Sequence, residues 1–332
     1  MFDGKKILIT GGTGSLGQAL TKRLLEKNVD TIRIFSRNES DQIKMENTFN
    51  NPKLRFLLGD IRDKERLVRA TEDIDIVFHA AALKHVPKIE YNPFEAIKTN
   101  VVGSQNVIDA CLINNVEKAI CVGTDKAVSP LNTYGATKLL MEKLFVTANN
   151  YLDPKKHTTK FIALRYGNVV GSSGSVIPKF IEQLKQKIEL TITDPHMTRF
   201  SITMDEALDF ILTASELGKG SEIFIPKLRA YSILDVKNAL QEMIGNFGEK
   251  NIGIRPGEKL HETLINKEEI RYSWEYKNLY IIIPPHYSTF HPNGINESYP
   301  NLKKLDGMEE YSSDVVPNIP INELKNIFKN LI

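Results

Sequence analysis

The first turn of the chain is the feature that most constrains its fold. The apolar strand Lys5–Thr10 runs directly into a turn with glycines at Gly11, Gly14 and Gly17, and a leucine stripe at helical spacing follows. Glycines let the backbone turn tightly and approach a pyrophosphate, whose charge then meets the amide groups of the helix N-terminus. Three glycines also occur in plain strand–helix turns. Their position at the start of a strand–turn–helix unit favours a dinucleotide site.

The alternation of short apolar strands and helices continues through the first half of the chain. We predict strands at Thr31–Ser36, Arg55–Leu58, Ile74–His79, Ala119–Val122 and Phe161–Leu164, and helices near 64–71, 93–114 and 134–151. This alternation predicts an α/β fold, a doubly wound parallel sheet of the Rossmann type with helices on both faces. Ligand is expected beyond the carboxyl ends of the strands.

The alternation of strands and helices becomes irregular after Arg165, and Gly, Ser and Pro cluster at 171–178. We therefore expect a smaller α/β substrate-binding domain interleaved with the first. The predicted division gives residues 1–168 plus about 201–226 to a dinucleotide-binding Rossmann domain, and about 169–200 and 227–332 to the substrate domain. Residues 286–314 show little periodicity and are expected to form a surface wrap or a partly disordered segment, and 321–332 an amphipathic helix.

Composition excludes several classes of partner. Lys and Arg total 43 against 41 acidic residues, so nothing in the net charge of +2 suggests nucleic acid or a membrane surface. Cys111 and Cys121 lie in apolar patterns without metal-ligand spacing and are expected to be reduced core thiols. No cationic apolar leader opens the chain, and no apolar run is long enough to cross a bilayer, so we expect a cytoplasmic protein.

The end of the second strand bears on the choice of dinucleotide. Ser36 and Arg37 stand there, and an Arg suits a ribose 2′-phosphate whereas an acidic residue suits a free 2′-hydroxyl. Arg37 therefore favours NADP, and nearby Glu39 leaves NAD open. After the third strand, Asp60 can accept the adenine amino group.

A second constellation indicates proton chemistry. Tyr134 and Lys138 lie four residues apart on one helical face, where the ammonium group can lower the pKa of the phenol and make it a base. Thr124, Asp125 and Lys126 follow the fifth strand, and a dehydration needs such an acid and base. An ordinary helical pair and a solvated ion pair are the alternatives.

These residues, taken together, resemble the inverting UDP-N-acetylglucosamine 4,6-dehydratases of the extended short-chain dehydrogenase/reductase type, most closely those that open pseudaminic acid biosynthesis. The resemblance runs to about residue 262. It is carried by the glycine turn, HAAALKHV at 79–86, Thr-Asp-Lys at 124–126, the Tyr134/Lys138 pair, RYGNV at 165–169 and RPGEKLHE at 255–262. Retaining relatives typically carry Glu where this chain has Lys126, and a related capsule-sugar branch lacks the tyrosine.

The resemblance implies a reaction without net redox change. NADP+ would take hydride from C4 of the sugar while Tyr134, supported by Lys138, takes the hydroxyl proton. Lys126 would remove the C5 proton, Asp125 would protonate the C6 hydroxyl, and water would leave. Return of hydride to C6 and reprotonation of C5 on the opposite face would give UDP-2-acetamido-2,6-dideoxy-β-L-arabino-hexos-4-ulose.

The resemblance and the strand ends together assign the site. Cofactor contacts are expected at Gly11, Thr13, Gly14, Ser15, Leu16, Gly17, Ser36, Arg37, Asp60, Ile61, Ala80, Ala81, Ala82, Lys84, Asn100, Tyr134 and Lys138. Substrate contacts are expected at Lys84, Thr124, Asn168, Val176, Thr191, Met197, Arg199, Arg255 and Glu258, with Asn168, Arg199 and Arg255 at the diphosphate. For Lys84 and Glu258 a plain surface charge is the alternative.

Other expectations concern metals, assembly and rival functions. His79 and His85 lack ligand spacing, so we expect no metal. The resemblance implies a homo-oligomer, a dimer or a hexamer. The rival functions are an NADP-dependent nucleotide-sugar epimerase, which would use Tyr134 and Lys138 alone, and a non-catalytic NADP-sensing protein.

Overall fold

A computed structural model of the chain describes residues 1–150, 156–172, 175–285, 287, 295–329 and 331–332. Its strands are β1 Lys6–Thr10, β2 Thr31–Ser36, β3 Leu54–Leu58, β4 Ile76–His79, β5 Lys118–Val122, β6 Lys160–Leu164, β7 Asn168–Val169, β8 Leu190–Ile192, β9 Thr198–Ile202, β10 Ile223–Pro226, β11 Arg229–Ser232, β12 Glu249–Asn251, β13 Thr263–Ile265, β14 Ser273–Tyr276, β15 Leu279–Ile282, β16 Lys303–Lys304 and β17 Tyr311–Ser312.

The helices surround these strands. They are α1 Ser15–Leu25, α2 Glu39–Phe49, α3 Lys64–Thr71, α4 Val86–Tyr91, α5 Pro93–Ala96, a π-helix Ile97–Val102, α6 Gly103–Ile113, a 3₁₀ turn Asp125–Ala127, α7 Thr133–Thr147, α8 Val176–Lys185, α9 Met204–Leu217, α10 Ile233–Ile244, α11 Lys267–Ile270, α12 Ile295–Ser298 and α13 Ile321–Phe328.

One large sheet organises the molecule. Within the described residues its strand order is β16-β14-β15-β10-β6-β5-β4-β1-β2-β3. From β3 to β10 neighbouring strands are parallel, and the last three strands, β15, β14 and β16, are antiparallel. The order reverses between β1 and β4, which opens a crevice at the carboxyl ends of the strands. The predicted doubly wound α/β fold is confirmed.

The predicted elements of the first half are present, with small shifts at their ends. The long helix expected over 93–114 is interrupted by the π-helix Ile97–Val102, and the helix expected from Tyr134 is α7, with Tyr151 lying outside the described residues. The buried β4 and β5 carry apolar side chains on both faces, as central parallel strands do.

The C-terminal segment differs from the expected surface wrap. His286 and 288–294 lie outside the described residues, but Tyr287 and Tyr299 are buried, and Tyr299 Oη donates to Glu222 at 2.5 Å. Lys303–Lys304 forms β16 at one end of the main sheet. Aromatic residues spaced without strand or helix periodicity therefore pack into the core here, which a periodicity argument cannot detect.

The predicted domain division differs from the sheet at the same place. Strands β14, β15 and β16 were assigned to the substrate domain, yet they extend the main sheet beyond β10. Beside this sheet, three small sheets order as β11-β9-β7, β12-β8 and β13-β17. Helices α8, α10 and α13 pack with strands of these small sheets around a separate buried apolar cluster. Its members include Phe180, Tyr231, Leu240 and Phe328.

A buried ion cluster joins the end of β6 to helices α7 and α11. Arg165, just after β6, is fully buried and donates to both carboxylate oxygens of Glu142 on α7 at 2.6 Å. It also donates to Glu269 on α11 at 2.9 and 2.7 Å and to the Leu264 carbonyl at 3.1 Å. Two of these acceptors are carboxylates, so the charge of Arg165 is compensated where water is absent.

Replacing this arginine should destabilise the fold. Arg165→Met leaves Glu142 buried without a cation, and the free energy of unfolding should fall by about 3–5 kcal/mol. Urea denaturation followed by fluorescence measures it. Lys267→Met is the matched control, because its pair with Glu309 is exposed and is worth less than about 1 kcal/mol. Equal losses in the two variants would contradict a structural role for the buried cluster.

Candidate active site

A cavity of about 1280 Å³ opens at the carboxyl ends of the parallel strands. Its wall contains every residue predicted for cofactor or substrate except Asn100, and every predicted catalytic residue except Asp125. Residues after β1, β2, β3, β4, β5 and β6 all contribute, as the doubly wound topology requires. The structure thus brings together predicted residues that are as much as 247 positions apart in sequence, from Gly11 to Glu258.

The first turn fits a pyrophosphate. Gly11 has φ +68°, and a Cβ there would lie 2.8 Å from Ala81 Cα, so the turn packs directly on the loop after β4. Helix α1 starts after Gly14 with neither a side-chain cap nor an acidic residue in its first turn. Its first amide groups are therefore available to an anion, and the helix dipole favours one.

The end of β2 presents a cation to the same cavity. The Arg37 side chain is 55% exposed, and its nearest carboxylate oxygen, on Asp60, is 3.8 Å away. Asp60 is instead bonded by Arg62, through Nε at 2.9 Å and NH2 at 2.7 Å. Burial raises the pKa of Asp60, but the bonds from Arg62 outweigh it and leave the pKa below its usual value. Arg37 keeps donors for a further anion.

The turn after β5 holds the acid–base pair. Asp125 is fully buried; its Oδ1 accepts from Thr124 Oγ1 at 2.7 Å and from Lys126 Nζ at 3.0 Å. Asp125 Oδ2 is buried and has no hydrogen-bond partner among the described residues. Asp125 therefore lies behind Thr124 and Lys126, which line the cavity, and does not line it itself.

Lys126 sits between several anions and acceptors. Its Nζ lies 3.0 Å from Asp125, 3.1 Å from Asn168 Oδ1 and 3.4 Å from Glu262 Oε1. Burial lowers the pKa of Lys126, but the charges of Asp125 and Glu262 outweigh it and raise the pKa above its usual value. Asn168, expected at a diphosphate, thus contacts the ammonium group in this structure.

The Tyr134/Lys138 pair departs from expectation in its electrostatics. Burial raises the pKa of Tyr134 to about 12, and the cation that opposes this rise is Lys126. Lys138 is turned inward: its Nζ donates to the Val122 carbonyl at 2.8 Å and approaches Met141 Sδ at 3.4 Å. Burial lowers the pKa of Lys138 to about 8. The expected lowering of the phenol's pKa by Lys138 is therefore not what the geometry gives.

Close packing aligns α7 with the acid–base turn. Asn132 caps α7 by accepting from the Gly135 N–H at 2.8 Å. A Cβ on Gly135 would overlap the carbonyl oxygen of Lys126 and would lie 2.9 Å from Pro130 Cβ. Only glycine allows the helix that carries Tyr134 to lie this close to the turn.

Asn100 acts from behind the cavity wall. It is fully buried in the π-helix; its Oδ1 accepts from the Leu83 N–H at 2.8 Å, and its Nδ2 donates to the Leu83 carbonyl and to Thr137 Oγ1, each at 3.0 Å. Asn100 does not line the cavity. Instead of the expected cofactor contact, it ties the loop after β4 to α7.

The cavity wall also carries the two arginines that were predicted to meet a diphosphate. Arg255 is half exposed and lies 3.6 Å from Glu258. Arg199 is held by hydrogen bonds to three backbone carbonyls. Its NH1 donates to Thr198 at 2.7 Å and to Leu260 at 3.0 Å, and its NH2 donates to Lys259 at 3.1 Å. Arg255 is thus the better placed of the two arginines to turn towards an incoming phosphate.

Sequence reasoning missed several residues of this wall. Lys179, Lys259 and Glu262 line the cavity but were given no role. Glu262 closes the quoted 255–262 motif, and its burial beside two cations could not be read from spacing. An acidic residue just before a short apolar strand was the available signal.

His79 and both cysteines are buried in the fold. His79 is buried between Thr10 Oγ1 at 2.7 Å and Ser104 Oγ at 2.9 Å, and burial lowers its pKa to about 3. Cys111 and Cys121 are both buried and unpaired. Among the described residues, three or more potential metal ligands never group together, and no helix is long and apolar enough to cross a membrane.

Solved structures share this architecture. Pen from Bacillus thuringiensis has a TM-score of 0.91 and 38% identity, covering 100% of this chain and 99% of that one. A dTDP-glucose 4,6-dehydratase from Streptomyces venezuelae, with NAD and TYD bound, has a TM-score of 0.68 at 21% identity, covering 77% of this chain and 86% of that one. At that identity the second likeness shows the fold alone.

Sequence relatives are more specific. The family model described as "Polysaccharide biosynthesis protein" matches residues 7–284. A Campylobacter jejuni protein named UDP-N-acetylglucosamine 4,6-dehydratase (inverting) is 49% identical over 96% of this chain and 95% of its own length. A Rickettsia bellii protein named UDP-glucose 4-epimerase is 42% identical over 100% of this chain and 97% of its own length. The resemblance drawn from the motifs is confirmed: the chain belongs to the polysaccharide biosynthesis protein family, as a relative of the inverting UDP-N-acetylglucosamine 4,6-dehydratases.

Proposed function

We propose that this protein is a hydro-lyase that dehydrates UDP-N-acetylglucosamine across C4–C6 with inversion at C5, using NADP. One observation carries the proposal: a phenol, a lysine and a threonine line one cavity, and a buried carboxylate is bonded to two of them. These are Tyr134, Lys126, Thr124 and Asp125. The relative named as an inverting dehydratase supports the same activity.

Tyr134 starts the sequence by taking the proton of the C4 hydroxyl. A bound nicotinamide would supply the acceptor for the C4 hydride and the donor that returns it to C6. Because burial raises the pKa of Tyr134 to about 12, the phenol needs a nearby positive charge to act as a base at neutral pH. Lys126, whose charge opposes the rise, is one such group.

Lys126 and Asp125 together supply both protonation states that an elimination needs. At 3.0 Å, the ammonium can pass a proton to the carboxylate, which leaves a neutral amine and a carboxylic acid without changing the net charge. The amine then takes the C5 proton, and the acid's proton goes to the departing C6 oxygen, so one water is lost. The C4 ketone formed first makes the C5 proton acidic enough for this step.

Thr124 is the route from the buried acid to the sugar. Asp125 does not line the cavity, whereas Thr124 does and bonds to Asp125 Oδ1 at 2.7 Å. A hydroxyl can accept a proton from the acid while it donates its own to the leaving oxygen. This refines the expected role of Asp125: it protonates C6 through Thr124 and not by direct contact.

The cofactor assignment rests on Arg37. Its guanidinium is largely exposed at the cavity wall next to the end of β2, where a 2′-phosphate would lie. The glycine turn and the start of α1 would hold the pyrophosphate, and Lys138 and the Ala80–Ala82 backbone would border the nicotinamide ribose.

A C4 epimerase is the second candidate, because a relative at 42% identity is named UDP-glucose 4-epimerase. Epimerisation needs only the tyrosine and the cofactor, so Asp125 and Lys126 would have no task. The burial of Asp125 and its bond to Lys126 favour the dehydratase, since a buried carboxylate without a function is costly to keep.

We also propose that the protein works as a homo-oligomer in the cytoplasm. Large apolar side chains are exposed on and near helices that pack against one another: Tyr91 at 86%, Phe94 at 63%, Leu131 at 63% and Leu140 at 50%. Exposed apolar groups of this size support association with another copy.

Incubation with UDP-N-acetylglucosamine in deuterated water tests the reaction and the base. The product should have lost one water and gained one deuterium at C5, as read by mass spectrometry and proton NMR. Lys126→Met should lower turnover by about 100-fold or more and abolish C5 exchange, while NADP binding persists. Lys44→Met, an exposed lysine on α2, is the control and should retain turnover. A C4 epimer without deuterium would identify an epimerase instead.

Arg37→Asp tests the cofactor. The variant loses charge-assisted bonds to the 2′-phosphate and should bind NADP about 10- to 100-fold more weakly, with little change for NAD. Titration of protein fluorescence with each dinucleotide measures both affinities. Arg55→Asp is the control: it removes a cation from the start of β3, away from the strand ends that line the cavity, and should leave the preference for NADP over NAD unchanged. An Arg37→Asp variant with the parent's preference would refute the NADP assignment.

A further inference from the structure

Glu262 is a buried carboxylate on the cavity wall that none of these steps uses. Its side chain is only 4% exposed, and Oε2 is buried without a hydrogen-bond partner among the described residues. Oε1 lies 3.4 Å from Lys126 Nζ and 3.8 Å from Arg199 Nε. A carboxylate away from water needs compensating charge, and these two cations supply it.

The backbone around Glu262 is fixed from both sides. Its N–H donates to Ser313 Oγ at 2.9 Å, and its carbonyl accepts from the Ser313 N–H at 2.8 Å. Arg199 donates to the carbonyls of Lys259 and Leu260, three and two residues before Glu262. The carboxylate is therefore held in one place beside Lys126.

We propose that Glu262 is a positioning residue for the base: with Asp125, its carboxylate holds Lys126 Nζ at the cavity wall, towards the carbon that loses its proton. This inference rests on the proposed function, because it concerns the step assigned to Lys126. The lysine then bridges two carboxylates with different tasks. Asp125 exchanges a proton with it, and Glu262 remains its fixed counter-ion.

The chemistry gives a reason for a second anion. The C5 proton next to a ketone is a weak acid, so its removal favours an amine of high proton affinity. Once the Nζ–H bond breaks and the proton joins Asp125, the Nζ lone pair can form a new bond to the C5 proton. Glu262 stabilises the ammonium that results. The cluster gains one positive charge when Lys126 takes the C5 proton, and it returns to its starting charge when the proton on Asp125 passes to the leaving oxygen.

Several elements present charged or titratable groups to Lys126. These are Asp125 in the same turn, Tyr134 on α7, Arg199 on β9, Tyr231 on β11, and Lys259 and Glu262 before β13. The two carboxylates favour the ammonium form, and the cations Arg199 and Lys259 oppose it. Removing the negative charge of Glu262 should therefore shift the balance towards the neutral amine.

Glu262→Gln is the test, because glutamine keeps the shape and removes the charge. In the NADP-loaded protein labelled with ¹³C at lysine Cε, the Lys126 signal, assigned by its loss in Lys126→Met, should titrate at least about 1 pH unit lower than in the parent. The acid limb of the pH profile of kcat should move in the same direction. At the parent's optimum, C5 deuterium exchange should slow by about tenfold.

Glu258→Gln is the matched control, since this carboxylate lies in the same segment but pairs with Arg255. It should leave the titration of Lys126 unchanged. Glu262→Asp keeps the charge but withdraws it from Nζ, and should give an intermediate titration even if Glu262→Gln does not fold. An unaltered Lys126 titration in a folded Glu262 variant overturns the inference. A shifted titration in a protein that forms no dehydrated product overturns the proposed function and leaves the pairing intact.

Discussion

The site depends on the pairing of Lys126 with two carboxylates at the end of β5. Asp125 and Glu262 are both nearly inaccessible to water, and the lysine is the cation that lies within 3.4 Å of each. Two negative and two positive charges, counting Arg199, meet in this volume. Such a cluster persists because each charge is compensated nearby, and it fixes Nζ relative to Tyr134 and Thr124.

The surrounding fold supplies the rigidity that this cluster requires. Gly135 lets α7 rest on the Lys126 carbonyl, and Arg165 anchors the same helix through Glu142. Gly135, Glu142 and Arg165 do not line the cavity themselves. Their effect is to keep the phenol and the ammonium on a common scaffold, so that their separation does not depend on a flexible loop.

Much of this arrangement could be predicted from the sequence, and the reasons for the failures are physical. The glycine turn, the strand ends and the Tyr134/Lys138 spacing are local signals, and the parallel topology gathers them at one sheet edge. Spacing could not show that Lys138 turns inward to the Val122 carbonyl, or that Asp125 is hidden behind Thr124. Those outcomes depend on packing between distant elements. Tyr287 and Tyr299 were misjudged because isolated aromatics carry no periodicity.

The segment 255–262 lines the cavity at several positions. Arg255 and Glu258 line the cavity near the start of this segment, and Glu262 lies beside Lys126 at its end. Arg255 and Glu262 are seven positions apart on one backbone. A ligand that binds Arg255 therefore contacts the same short segment that carries the counter-ion of Lys126. A sugar without a phosphate group would offer Arg255 no anion, and it would therefore gain neither that contact nor its link to the segment of Glu262.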